Sequence, residues 1–201
     1  MDWTITISRQ KGCLGQEVAQ ELGNLLGYSV VSRDLINQAA RRAGAPEAAL
    51  AAIDELGLLG ICPSPQACQA YRQAVESVMH ELADRGRVII VGRAGQVILA
   101  NQPKTLHVRL VAPAALRAER IAVRFQVSLE GAARQVEASD RFRKNYLKRF
   151  YQADWAAAEL YDLVINTGRC SVNEAAGFIH NAIQRREVAV NLLSEPLSEQ
   201  L

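Results

Sequence analysis

Thr4-Ile5-Thr6-Ile7-Ser8-Arg9-Gln10-Lys11-Gly12-Cys13-Leu14-Gly15-Gln16-Glu17 opens the chain with an alternating run, a glycine-bearing turn and the start of an amphipathic segment. Period-two alternation from Thr4 to Ser8 predicts a strand. Val18, Ala19, Leu22, Leu25 and Leu26 then fall on one face of a helix that stops near Gly27. A strand entering a helix through a glycine turn is an arrangement that binds phosphate. Loop amides and the positive helix end converge on an anion, and glycine lets the backbone approach it closely. The wording departs from G-x-x-x-x-G-K-[ST], because neither the lysine nor the hydroxyl stands at its expected place. On the motif alone, a tight turn without a ligand accounts for the loop as well as a phosphate cradle does.

Further along, Tyr28–Ser32 reads as a short second strand, and an Ala-rich helix runs from Arg33 to about Gly57, broken at Gly44-Ala45-Pro46. Ser64-Pro65 opens another helix ending at Gly86, with serine as N-cap and proline in the first turn. Val88-Ile89-Ile90-Val91 is continuous and β-branched, as expected of a strand buried on both faces. Leu106–Val111 is a fourth strand, with Pro113 opening the next helix, and a long helix is predicted from Ser128 to about Gln152. Tyr161–Asn166 is a fifth strand. Ser171-Val172-Asn173-Glu174 is a capping box that starts a last helix to about Glu187.

Strands separated by helices imply parallel pairing with right-handed crossovers. The expected fold is a three-layer α/β sandwich, with a parallel sheet of about five strands and its ligand edge at the strand C-termini. Residues 1–187 form one domain, and residues 188–201 form a tail that is disordered or docks on a twin.

The 201 residues suit one core. Apolar residues make up 49% and charged residues 22%, an ordinary globular balance. A net charge of +2 argues against nucleic acid as the main partner. No apolar run approaches about 18 residues and no signal-peptide pattern is present, so no membrane is expected and the cytoplasm is the default compartment. Cys13, Cys62, Cys68 and Cys170 form no C-x-x-C pair and read as reduced thiols rather than metal ligands. Cys13 reads as a small packing residue of the loop, and His80, His107 and His180 read as structural.

Residues 117–149 hold nine Arg or Lys against four Asp or Glu, so this stretch carries +5 and the remainder −3. A basic helical lid over polyphosphate explains that concentration. A solvated face laced with pairs such as Glu137–Arg141 explains it too.

Across roughly residues 4–183 the motifs resemble, in order and spacing, those of cytidylate kinase-like proteins within the P-loop nucleoside-monophosphate-kinase superfamily. Ile5–Gln10 with Gly12 and Gly15 is similar to their I-S-R-E-x-G-S-G-G opening, which also lacks the usual lysine. Ser32-Arg33-Asp34-Leu35-Ile36 resembles their second-strand motif, and Val91-Gly92-Arg93-Ala94 their V-G-R-x segment, a variant of G-R-D. Asp140-Arg141-Phe142-Arg143 with Tyr146 resembles the D-x-x-R-x-x-Y lid segment, and Tyr161–Thr167 the last strand.

The resemblance implies a nucleotide-binding insertion at about residues 33–86 and a lid at about 128–155. It implies transfer of the ATP γ-phosphoryl group to CMP or a related acceptor, with Mg²⁺ bridging donor oxygens and no metal held by named protein ligands. Gly12, Cys13, Leu14, Gly15 and Gln16 would wrap the donor phosphates. Arg93 would contact the acceptor, and Asp34 would orient it or hold a magnesium-bound water. Arg141 and Arg143 would come down from the lid onto the transferring group.

Residues two apart on a continuous helix lie about 200° apart. A break near Ser139-Asp140 is therefore expected, hinging the lid so that both arginines close inward. Leu14 in place of the second glycine of G-S-G-G, Ala94 in place of the G-R-D carboxylate and the missing loop lysine favour a nucleotide-binding protein without catalysis. The basic lid favours an enzyme. A kinase of a non-nucleotide small molecule is a further alternative.

Overall fold

A computed structural model describes residues 2–42 and 64–194, excluding the side chains of residues 33, 34, 40, 42, 67 and 190–194. The expected break at Gly44-Ala45-Pro46, Cys62 and residues 195–201 lie outside it. Five strands, β1 (Thr4–Arg9), β2 (Ser29–Val31), β3 (Val88–Val91), β4 (Thr105–Val111) and β5 (Leu163–Asn166), form one sheet in the order β2-β3-β1-β4-β5. Every pairing is parallel. Helices α1 (Gly15–Leu26), α2 (Arg33–Arg42), α3 (Pro65–Arg85), α4 (Gly95–Ile98), α5 (Ala114–Phe125), α6 (Leu129–Tyr151) and α7 (Val172–Ser194) connect and cover it.

The alternation of β1 has a different cause from the polar-out pattern of a half-exposed sheet. Ile5 and Ile7 pack with Val18, Leu22, Ile179 and Ile183 of α1 and α7. Thr4, Thr6 and Ser8 are buried too, and Val88 and Ile90 of β3 pack with Tyr71, Val75 and Met79 of α3. The hydroxyls on this second side are satisfied: Thr4 Oγ1 donates to Ala83 O at 3.4 Å, and Thr6 Oγ1 lies 2.7 Å from His107 Nδ1. Strand β1 thus has β3 on one side and β4 on the other, and the order in which strands are added to the sheet reverses there. The C-terminal end of β1 is where this topology opens a crevice.

Three expectations are corrected. The helix expected to break at Ser139-Asp140 is continuous from Leu129 to Tyr151, capped by Ser128 Oγ accepting from Gly131 N at 3.1 Å. The expected break served to turn Arg141 and Arg143 both inward, but the two residues at the expected hinge have partners that leave the helix intact. Ser139 accepts from Arg143 within the helix, and Asp140 accepts from Arg117 and Gln10, so neither turns back to cap a new start. The last helix runs on to Ser194, through the first residues of the expected tail. Cys13 and Cys170 are free thiols, but Cys68 is disulfide-bonded, with its partner outside the described residues. No helix among the described residues is long and apolar enough to cross a membrane.

Candidate active site

The loop between β1 and α1 is shaped by two residues with positive φ, Gly12 at 84° and Leu14 at 59°. A Cβ on Gly12 would stand 2.6 Å from the Arg117 carbonyl oxygen, so glycine is required there on both counts. Leu14 takes the left-handed conformation that the family glycine would adopt without strain. Three successive loop carbonyls are held by groups outside the loop. Lys11 O accepts from Arg117 Nη1 at 3.3 Å, Gly12 O from Arg120 Nη1 at 3.3 Å and Cys13 O from Thr167 Oγ1 at 2.9 Å. With those carbonyls occupied, the first-turn amides of α1 and its positive end remain for an anion.

Two clefts flank the loop. One, about 650 Å³, lies between the loop from Gln10 to Glu17 and the outer part of α5, including Arg120, Arg124 and Phe125. The other, about 540 Å³, lies between the ends of β1 and β3, the inner face of α6 and Trp155. Arg9, Lys11 and Arg143 line both. Among the described residues, the second cleft's lining holds five cations (Arg9, Lys11, Arg93, Arg134 and Arg143) and no carboxylate. Lys11 Nζ donates to Gln135 Oε1 at 2.8 Å. Its partial burial, and then the Arg143 charge, push the ammonium below its usual pKa. Burial pushes the Cys13 thiol up against the opposing pull of nearby arginines, which leaves it a protonated packing group.

The floor of the second cleft is a buried polar network. Trp155 Nε1 donates to Ser8 Oγ at 2.9 Å, and Tyr161 OH donates to Trp155 O at 2.9 Å. Gln96 Nε2 donates to Tyr161 OH at 3.3 Å. Arg109 also donates to Trp155 O, its guanidinium 4.7 Å from the indole centroid.

The predicted residues divide as follows. Gly12, Leu14, Gly15 and Gln16 line the first cleft, while Cys13 is buried beneath it. Arg93, at the end of β3 with φ 55°, lines the second. Its Nη2 donates to Asn37 Oδ1 of α2 at 2.5 Å, and its guanidinium lies 5.7 Å from the Tyr71 centroid. Arg143 stands where the clefts meet, but Arg141 is exposed and lines neither. Asp34 falls in α2, its side chain outside the described ones. Sequence reasoning missed Arg9, Arg117, Arg120, Arg134 and Trp155. The i, i+3 spacing of Arg117 and Arg120 was the available signal for a shared helix face.

The sequence matches the profile of the cytidylate kinase-like family over residues 4–169. A cytidylate kinase of Methanothrix thermoacetophila is 30% identical over 167 residues, covering 82% of this chain and 88% of that one. Two other relatives are matched over less of their length. The chain spans 61% of a Methanopyrus kandleri cytidylate kinase at 31% identity, using 54% of its own residues. It spans 22% of a Corynebacterium glutamicum uronate isomerase at 30% identity, using 57%. Among solved structures, an uncharacterized protein of Eubacterium ventriosum superposes with a TM-score of 0.74 at 20% identity, covering 90% of this chain and 98% of that one. A gluconokinase of Sinorhizobium meliloti superposes with a TM-score of 0.57 at 14% identity, covering 96% and 98%. These two likenesses concern the fold.

Proposed function

Because the chain belongs to the cytidylate kinase-like family, we propose that its two clefts are the donor and acceptor sites of a cytoplasmic phosphotransferase moving the terminal phosphoryl group of ATP to CMP or a related nucleoside monophosphate. One observation carries this reading: Arg9, Lys11 and Arg143 line both clefts, so the cations stand where a group passing between them would be. Phosphoryl transfer asks little covalent chemistry of a protein. It asks for alignment and for fixed charge on the peripheral oxygens.

The loop amides and α1 hold the donor phosphates, with Arg120 and Arg124 beside them, while Arg93 meets the acceptor phosphate from the end of β3. Arg143 and Lys11 stabilise the charge that spreads over the moving group, and α6 with Phe142 and Trp155 keeps water from it. Among the described residues lining the clefts, Glu17 is the one carboxylate, and its Oε1 lies 2.5 Å from Arg124 Nη1. Mg²⁺ would be held by the donor phosphate oxygens themselves and would supply neutralisation of their charge.

A nucleotide-binding protein without catalysis is the second reading. It is favoured by Leu14 in its strained conformation and by Gln16, which stands where a loop lysine would be. ADP release, measured with Mg²⁺-ATP and each nucleoside monophosphate in turn, separates the two. Turnover on CMP or a near relative supports the first. Tight ATP binding with no turnover on any acceptor would falsify it in favour of the second.

A further inference from the structure

Asp140 sits one turn before Arg143 on α6, but it lines neither cleft, and its carboxylate is engaged by Arg117 of α5 and by Gln10. Oδ1 and Oδ2 accept from Arg117 Nη1 at 3.2 Å and Nη2 at 2.8 Å. Oδ2 also accepts from Gln10 Nε2 at 3.4 Å. Gln10 Oε1 accepts from Ala112 N at 3.1 Å, and Arg117 Nε donates to Ala112 O at 2.9 Å. These bonds close a ring through Asp140, Gln10, Ala112 and Arg117, joining the exits of β1 and β4 to α5 and α6. The same guanidinium donates to Lys11 O, the first of the three clamped loop carbonyls. Arg117's side chain is 4% exposed, so its charge has little water to lean on.

We propose that Asp140 is a positioning residue: acting through Arg117, it fixes the backbone of the phosphate loop and sets the rotation of α6 that turns Arg143 to the junction of the clefts. A bidentate carboxylate–guanidinium pair has one good orientation, and a helix pinned by it cannot roll. With Asp140 facing α5, the side chain three residues on falls near the same face and the one a single residue on falls away from it. The pinned guanidinium in turn holds Lys11 O outward and keeps the adjacent amides on the anion side of the loop. The part concerning Arg143 rests on the phosphotransfer reading; the part concerning the loop does not.

The test uses the full chain. In Asp140→Asn, hydrogen exchange of the peptide covering residues 9–16 should rise at least about tenfold, while peptides from β3 and α7 exchange as in the wild type. Turnover should fall roughly 10- to 100-fold, the usual loss when an orienting partner is removed. The Arg117→Met loss should not multiply with it, since the two act as one unit. If Asp140→Asn fails to fold because Arg117 is left buried and unpaired, the Arg117→Met, Asp140→Leu double variant removes the ring without stranding a charge. That variant should fold and show the same fast loop exchange. Wild-type loop exchange in a folded variant, or loss of protection spread evenly over the molecule, overturns the proposal. A wild-type protein with no turnover on any acceptor sinks the phosphotransfer reading alone, and loop exchange still decides this one.

Discussion

Arg143 and Arg141, two residues apart on α6, face opposite ways: Arg143 lines both clefts and Arg141 is exposed on the far side. Helix geometry separates such neighbours by about 200°, and the unbroken helix leaves nothing to bring them together. Their removal should therefore have unequal effects. On the phosphotransfer reading, Arg143→Ala should lower kcat by about 10²–10³-fold while changing ATP affinity little, because the proposed contact would strengthen as charge develops on the moving group. Arg141→Ala should stay within ~0.5 kcal/mol of wild type in stability and keep its turnover. Equal losses of kcat in the two variants would show that α6 rearranges to bring both arginines to the clefts.

The loop glycines differ in what crowds them. A Cβ on Gly12 meets backbone, the Arg117 carbonyl oxygen at 2.6 Å, at a φ of 84°. A Cβ on Gly15 meets Arg9 Cβ and Cγ at 2.8 Å, and a flexible side chain can move. Gly12→Ala should destabilise the fold by about 1–3 kcal/mol and weaken ATP binding at least tenfold. Gly15→Ala should leave the melting temperature nearly unchanged and act through a displaced Arg9, lowering turnover. Calorimetry and isothermal titration check both; equal stability losses would mean that Arg9 is as immobile as the backbone.

Trp155 contributes the bond that orients Ser8. Trp155→Phe keeps an aromatic face for Arg109 but removes the indole donor, leaving Ser8 Oγ without its 2.9 Å partner. A loss of about 1–2 kcal/mol is expected in urea denaturation, with nucleotide-induced fluorescence change reduced because Trp155 lines the second cleft. Unaltered stability would place the weight of the network on Tyr161 and Arg109 instead.

His107 should make stability depend on pH. Burial lowers its pKa from the ordinary 6.5, with Asp162 opposing the shift and Arg186 adding to it. The folded state therefore holds its proton less tightly than the unfolded state. The stability it contributes is complete above about pH 6.5 and is lost as pH falls through the folded-state value. The urea midpoint of wild type should drop between pH 7.5 and pH 5 by more than that of His107→Gln. Parallel pH profiles for the two proteins would remove His107 from the cause.

Local patterns carried much of the architecture. The β1–loop–α1 unit, the buried strand Val88–Val91 and the Ser171–Glu174 cap are legible because each rests on neighbours a few residues away. In the cap, Glu174 N donates to Ser171 Oγ at 3.2 Å and Ser171 N to Glu174 Oε2 at 2.8 Å. The expected break at Ser139-Asp140 rested instead on a functional demand, that Arg141 and Arg143 both turn inward, and the helix runs on through Ser139 and Asp140. Their side chains are engaged by Arg143 and by the distant Arg117 and Gln10.

By itself, the sequence determined that five strands alternate with helices, that a glycine loop follows the first strand and that positive charge gathers between residues 117 and 149. Only the tertiary structure decided where each of those charges is placed. Arg117 is buried and spent on Asp140, Arg143 is turned to the clefts and Arg141 is left to solvent. Backbone periodicity follows from contacts three or four residues away. The direction of a charged side chain follows from the carboxylate or carbonyl that meets it, and for Lys11 O and Arg117 that partner lies 106 residues along the chain.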